Sequence, residues 1–407
     1  MPRIKRFLKS NLSLVFLLLA VFFAGWMLGI AGFELNLRLN PPALTVENKT
    51  PPSSTINFSL FWDVLDRINK NFLFRPLDGQ KLLYGAISGL IEALGDPYTS
   101  FLTPAENTEF RKNLAGTYEG IGAELGMRND RLVIVAPLEG SPAGAAGVKA
   151  GDKILEIEGV STQGITVSEA VNAIRGEAGT VSTLTLQRGD GGEPFVVKIT
   201  RAEITVESVR YEEKESGIFY LRVSRFGEKT TEEWDVAVQA ISSKGAATKG
   251  IVLDLRSNPG GLLSGAVYLA SEFIPSGTVV IEEAGDGSRH ALRATSTKSN
   301  HALAGMSVVV LVDAGSASAS EILAAALAER IEAKLVGAQT FGKGTVQDAD
   351  DLSGGAGLHL TVAKWLTPSG KWIEETGLKP DFEVELTEAD INAGRDPQLN
   401  KALELLR

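Results

Sequence analysis

The second half of the chain alternates short apolar runs with helix-patterned segments, and this constrains the fold more than any other feature. Ile251–Leu255 and Ser307–Val312 are short, almost wholly apolar and bounded by turn residues. That is the pattern of a strand buried on both faces. Each runs through a turn into a helical stretch, Leu262–Phe273 after the first and Glu321–Arg330 after the second. Leu358–Trp365 predicts a further strand. Strand–turn–helix alternation of this kind specifies an α/β domain, placed here over 204–385. Within it, Glu282–Ala304 is polar with little periodicity and is expected to form a loop or lid beside the site. Residues 386–407 predict a C-terminal helix.

The segment 116–203 has a different texture. Strand signals fall at Leu132–Val135, Ile154–Ile157, Leu184–Gln187 and Phe195–Ile199, with a short amphipathic helix over Thr166–Arg175. A glycine loop, Tyr118-Glu119-Gly120-Ile121-Gly122-Ala123, leads into a strand, and Ser141–Ala150 is a run of small residues before Gly151-Asp152-Lys153-Ile154-Leu155-Glu156-Ile157. This resembles a PDZ domain in the permuted bacterial arrangement. The resemblance implies that an extended peptide adds as a strand, its terminal carboxylate resting on the backbone N–H groups of Gly120, Ile121 and Gly122. Upstream, residues 58–115 are predicted helical. Phe61, Val64, Leu65 and Ile68 share one face, and a second helix runs from Gln80 to Leu94, stopped by Gly95-Asp96-Pro97. Plain scaffold and a dimer contact are the two readings of this region.

At the N-terminus Arg3, Lys5, Arg6 and Lys9 precede an almost unbroken apolar run, Leu12–Phe33. About 20 apolar residues suffice to span a bilayer. Basic residues ahead of the span place the bulk of the chain outside the cytoplasm. Residues 1–33 are therefore expected to be a signal anchor in the inner membrane, with a cleaved signal peptide as the alternative. Residues 34–57, rich in Pro, Asn, Ser and Thr, read as a linker.

Composition then limits the chemistry. The chain of 407 residues has no cysteine and 3 histidines, which removes thiol catalysis, zinc–thiolate sites and disulfides and disfavours a histidine metal centre. A net charge of −10 argues against a nucleic-acid partner. Two segments remain. Ala314-Gly315-Ser316-Ala317-Ser318-Ala319-Ser320-Glu321 lies between a buried strand and a helix, where free N–H groups favour developing negative charge. That suits a serine nucleophile, yet Ser318 with Glu321 three residues on also has the spacing of a capping box, so both readings stay open. In Thr340-Phe341-Gly342-Lys343-Gly344-Thr345-Val346-Gln347, an extended chain would put Lys343, Thr345 and Gln347 on one face. A lysine acts as a base only when neutral, so its usual value near ~10.4 must fall. Gln347 is expected to orient such an amine by a hydrogen bond without adding charge.

Taken together, Leu94–Thr99, Tyr118–Ala123, Leu253-Asp254-Leu255-Arg256-Ser257-Asn258-Pro259-Gly260-Gly261, Gly315–Glu321, Phe341–Gln347, Thr367-Pro368-Ser369-Gly370 and Gly377-Leu378-Lys379-Pro380-Asp381 occur in an order that resembles the carboxyl-terminal processing peptidases, or tail-specific serine proteases. The resemblance implies an α/β, crotonase/Clp-like serine protease core with an inserted β-rich PDZ domain and an N-terminal helical region. It implies a Ser–Lys dyad of Ser318 and Lys343 supported by Gln347, with no cofactor. The oxyanion hole implied is the backbone N–H of Ala319 and that of Gly260. Arg175 matches an arginine that couples PDZ to protease in some members, and a helix-terminal arginine is the equal alternative. His359 reads as structural. The partners implied are unfolded or flexible protein C-termini, a regulatory or adaptor protein and further copies of the chain, in a bacterial cell envelope. The contrasting reading is a membrane-tethered PDZ adaptor with an inert core.

Overall fold

The computed structural model describes residues 16–27, 33–39, 42–48, 58–128, 131–138, 140–189, 191–215 and 217–407. The chain divides into two units, 1–82 and 83–407. In the first, residues 16–27 are helical and exposed. Among the described residues no helix is long and apolar enough to cross a membrane, and the expected span over 12–33 extends beyond those described. The expected linker holds structure. Phe33–Leu39 pairs antiparallel with Pro42–Asn48, Leu35 opposite Val46 and Leu37 opposite Leu44. Alternating Leu, Val and polar residues there carry a strand period that the Pro and Asn content hid. The helices expected from Phe61 and Gln80 form as Ser59–Asn71 and Gly79–Glu92.

In the second unit the chain enters and leaves a small β module side by side, because Thr117–Gly120 pairs antiparallel with Ala202–Thr205. Between them an antiparallel sheet runs in the order Phe195–Thr200, Val181–Gln187, Lys153–Ile157, Arg131–Pro137, Ala123–Arg128. In Val181–Gln187 the residues Ser182, Leu184 and Leu186 are buried and their neighbours are not, so one face builds the core. The helix Val167–Ile174 closes that core with Ala170 and Ile174. Thr166 and Glu169 form the capping box that starts it.

The larger domain is built on a six-stranded sheet whose strands lie in chain order: Val209–Glu215, Ile218–Val223, Gly250–Asp254, Ser307–Val312, Lys334–Gly337, Phe382–Glu383. The first pair is antiparallel and the others are parallel. Residues of Gly250–Asp254 are all buried, as the unbroken apolar run requires. Alternation divides them. Ile251, Leu253, Val308 and Val310 face the helices Thr230–Ser242, Leu263–Phe273 and Ala319–Ile331. Val252, Val309 and Leu311 face the C-terminal helix Pro397–Leu406 through Ala402 and Leu403. A fork of Arg256 fixes that helix, with Nη2 at 2.7 Å from Asp254 Oδ2 and 2.9 Å from Asp396 Oδ2.

A second sheet runs Arg289–Arg293, Thr278–Ala284, Gly357–Leu366, Thr345–Asp351, with Ser100–Leu102 pairing on Gly357–Leu366. Its first two strands correct the expected loop over Glu282–Ala304, part of which is a hairpin. The hairpin is polar because it is an edge. Glu283 takes Arg289 Nε at 2.6 Å and Lys364 Nζ at 2.6 Å, so ion pairs stand where apolar alternation would have announced a strand.

Candidate active site

Ser318 stands at the end of the turn between Ser307–Val312 and the helix Ala319–Ile331, with φ of 53°. A non-glycine residue there stores about 1–3 kcal/mol of strain and needs support from its surroundings. The neighbouring serines supply part of it. Ser316 Oγ donates to Leu255 O at 2.8 Å and Ser320 Oγ to Asn258 O at 2.9 Å, and both residues are buried. Ser318 alone of the three lines a cavity of about 350 Å³.

Glu321 supplies the rest. The capping-box reading gave it one bond to Ser318 N–H, which Oε2 indeed accepts at 2.9 Å. The same carboxylate also accepts Lys343 N–H at 3.0 Å, Gly342 N–H at 2.8 Å and the Thr340 hydroxyl at 2.5 Å. It therefore clamps the serine turn to the lysine loop. Full burial raises its carboxyl above the usual range, against the pull of those donors.

The turn Asn258–Gly261 faces the serine. Asn258 is buried, donating from Nδ2 to Val223 O at 2.8 Å and accepting Gly260 N–H on Oδ1 at 2.9 Å. Gly260 has φ of 101°, and a Cβ there would lie 2.9 Å from Ser318 Cβ. Gly261 has φ of 132°, and a Cβ would lie 2.2 Å from Phe226 O. The expectation for Gly260 needs correction here: its N–H is engaged by Asn258, and Gly261 rather than Gly260 lines the cavity. The N–H groups of Gly261 and Ala319 have no partner among the described residues.

Lys343 and Gln347 also line the cavity. Lys343 precedes the strand Thr345–Asp351, whose register shifts between Val346 and Gln347, so strict two-residue alternation does not hold. Thr345, Val346, Gln347 and Ala349 all reach the cavity. Gln347 Nε2 donates to Thr345 Oγ1 at 2.8 Å and Thr361 Oγ1 at 3.1 Å, which replaces the expected bond to the lysine amine. Burial lowers the Lys343 ammonium below its ordinary value, with Glu374 and Asp96 opposing. His359, read as structural, packs its ring 4.2 Å from that of Phe110 and also lines the cavity, and burial and then the Lys343 charge lower its pKa. Tyr98 and Phe110, from the region read as scaffold, complete the wall. The Leu94–Thr99 motif was the one signal in the sequence that could have placed Tyr98 there.

The second cleft lies in the β module. Gly120, Ile121 and Gly122 line a groove of about 230 Å³ with Val171, Ile174 and Arg175 of the helical segment. Ile121 O and Gly122 O are taken by Ala143 N–H at 2.8 Å and Leu138 N–H at 2.9 Å. The N–H groups of Ile121 and Gly122 have no partner among the described residues. Arg175 sits over the Tyr118 ring at 5.1 Å, within the groove. It makes no ion pair to the larger domain among the described residues.

A largely parallel α/β core presenting a serine at a helix N-terminus, joined to a small antiparallel β module, has the architecture of a serine peptidase with a PDZ domain. The profile of peptidase family S41 matches residues 217–384, and that of the PDZ domain matches 133–188. The chain is 36% identical over 369 residues to the carboxy-terminal processing protease CtpA of Bacillus subtilis (strain 168), covering 90% of this chain and 78% of the relative. It is 36% identical to the carboxy-terminal-processing protease of Bartonella bacilliformis, covering 92% and 85%. Its fold is similar to that of a photosystem II D1 C-terminal processing protease, with a TM-score of 0.50, 29% identity and coverage of 80% and 87%. The chain belongs to the carboxy-terminal processing proteases of peptidase family S41, and is a serine peptidase.

Proposed function

We propose that the chain cleaves proteins near their C-terminal tails with Ser318 as nucleophile and Lys343 as general base. The observation that carries this is the shared cavity, which joins Ser318 and Lys343 to the unpartnered N–H groups of Ala319 and Gly261. Neutral Lys343 takes the Ser318 proton as Oγ bonds to the scissile carbonyl carbon. The two N–H groups hold the oxyanion, each donor worth about 10²–10³ in rate. Lys343 returns the proton to the leaving amine, and water then hydrolyses the acyl ester with the same base. Gln347 supports the lysine through Thr345 and Thr361 rather than by direct contact.

The tail docks in the β-module groove, its carboxylate on Ile121 and Gly122 N–H beside Gly120, its side chains against Val171 and Ile174. Arg175 shapes the mouth of that groove. Residues 12–33, preceded by basic residues, tether the enzyme to the inner membrane of a bacterial envelope with the catalytic part outside the cytoplasm. A regulatory or adaptor protein and self-association belong to the same reading.

The test is cleavage of an unfolded protein with an apolar tail by the full chain, with Ser318→Ala and Lys343→Ala in parallel. Cleavage by the parent alone supports the dyad. Equal cleavage by all three overturns it. An intact parent that binds tails and never cleaves them would revive the inert adaptor.

A further inference from the structure

Lys343 and Ser318 line the same cavity but share no hydrogen bond among the described residues. Lys343 Nζ stands over the face of Tyr98, 4.9 Å from the ring centroid, and makes no hydrogen bond or ion pair among the described residues. The turn that carries the ring is held by several hydrogen bonds. Tyr98 N–H donates to Asp96 Oδ1 at 3.0 Å, and Thr99 Oγ1 donates to Asp96 Oδ2 at 2.6 Å. Thr99 Oγ1 in turn accepts Thr361 N–H at 3.0 Å, and Thr361 Oγ1 accepts Gln347 Nε2 at 3.1 Å. The turn bearing Tyr98 is thus bolted to the strand behind Lys343 and to Gln347. The phenol end lies beside the Glu374 carboxylate, and Glu374 Oε2 accepts Gly344 N–H at 2.6 Å, next to the lysine.

A ring face attracts an ammonium and has no comparable hold on a neutral amine. We propose that Tyr98 is a positioning residue for Lys343, holding the protonated amine away from Ser318 and releasing it when the proton is lost. The dyad then assembles only in the protonation state that can act as a base. This rests on Lys343 being that base. Other groups face the amine. Asp96 on the same turn and Glu374 favour the charged form, and burial opposes it. His359, on Gly357–Leu366, is kept toward its neutral form. Glu321, on Ala319–Ile331, is occupied by backbone donors. The ring can be altered without moving a charge.

The experiment is the pH profile of kcat/KM for the full chain on a fluorogenic peptide. Tyr98→Phe keeps the ring and should keep the midpoint of the rising limb. Tyr98→Leu removes attraction for the charged form only, so the limb should move to lower pH by about 0.5–1.5 units. Phenylalanines of increasing fluorination at position 98 weaken the ring face at nearly constant shape and should move the limb downward in steps, which decides the matter if Tyr98→Leu fails to fold. An unmoved limb in the fluorinated series, with Lys343→Ala inactive, overturns the proposal and leaves the dyad standing. Full cleavage by Lys343→Ala overturns the dyad and the proposal together.

Discussion

The two clefts of this chain solve different problems with different atoms. The β-module groove is built from neighbouring backbone, the Gly120–Gly122 loop and one helix, and presents N–H groups. The peptidase cavity is built from side chains that arrive from Tyr98, Phe110, Ser318, Lys343 and His359, far apart in the chain. Backbone recognition needs a conformation and little else. The proposed proton transfer needs two side chains at a set distance, and a buried carboxylate, Glu321, clamps their loops together.

That contrast can be broken variant by variant. Ser318→Ala should lower kcat by about 10⁴–10⁶ and leave the affinity for a tail peptide unchanged, checked by steady-state kinetics beside calorimetric titration. A matching loss of tail binding would mean the clefts are not separable. Glu321→Ala strands several donors in the core. It should cost about 2–4 kcal/mol of stability and roughly 10²-fold in kcat, seen as a lower Tm and slower turnover with tail binding intact. Gly122→Val tests the other side. Gly122 has φ of 71°, and a Cβ there would lie 2.5 Å from Ser141 Cβ. Tail affinity should fall about 5–100-fold through backbone strain, with cleavage of a short peptide that bypasses the groove retained.

The smallest effect is that of pH. Burial lowers the Lys343 pKa below its reference of 10.5, so the neutral base is populated at lower pH than in free lysine. Activity should therefore rise with pH by no more than about tenfold per unit and level off below that reference. Tail binding should stay flat over the same range, because a C-terminal carboxylate is ionised throughout. A tail affinity that follows the activity limb would place a titrating group in the groove and erase the distinction.

The segments of Ser318 and Lys343 were legible as local patterns, a turn between a buried strand and a helix and a lysine between two glycines, but each alone left its role open, and only the ordered set of motifs suggested a dyad. Structure explains those glycines: a Cβ at Gly342 would lie 2.8 Å from Gly377 N, and one at Gly344 2.6 Å from Trp372 Nε1. Elements with strong periodicity, such as Ser307–Val312 and Leu263–Phe273, were equally legible. Polar edge strands were not. Thr278–Ala284 with Arg289–Arg293 carries ion pairs in place of apolar alternation, and Phe33–Leu39 with Pro42–Asn48 hides its alternation among turn formers.

By itself the sequence determined the order of modules and the buried strands, because hydrophobic period and turn chemistry act over a few residues, and it singled out Ser318 and Lys343 only through the family resemblance of several motifs taken together. Only the tertiary structure decided that Glu321 joins two loops, that Tyr98 and His359 reach the cavity, that Gly261 rather than Gly260 lines it, and that Gln347 answers to Thr361. Those are contacts between segments distant in the chain. Their partners are chosen by packing of the whole core, which no local pattern encodes.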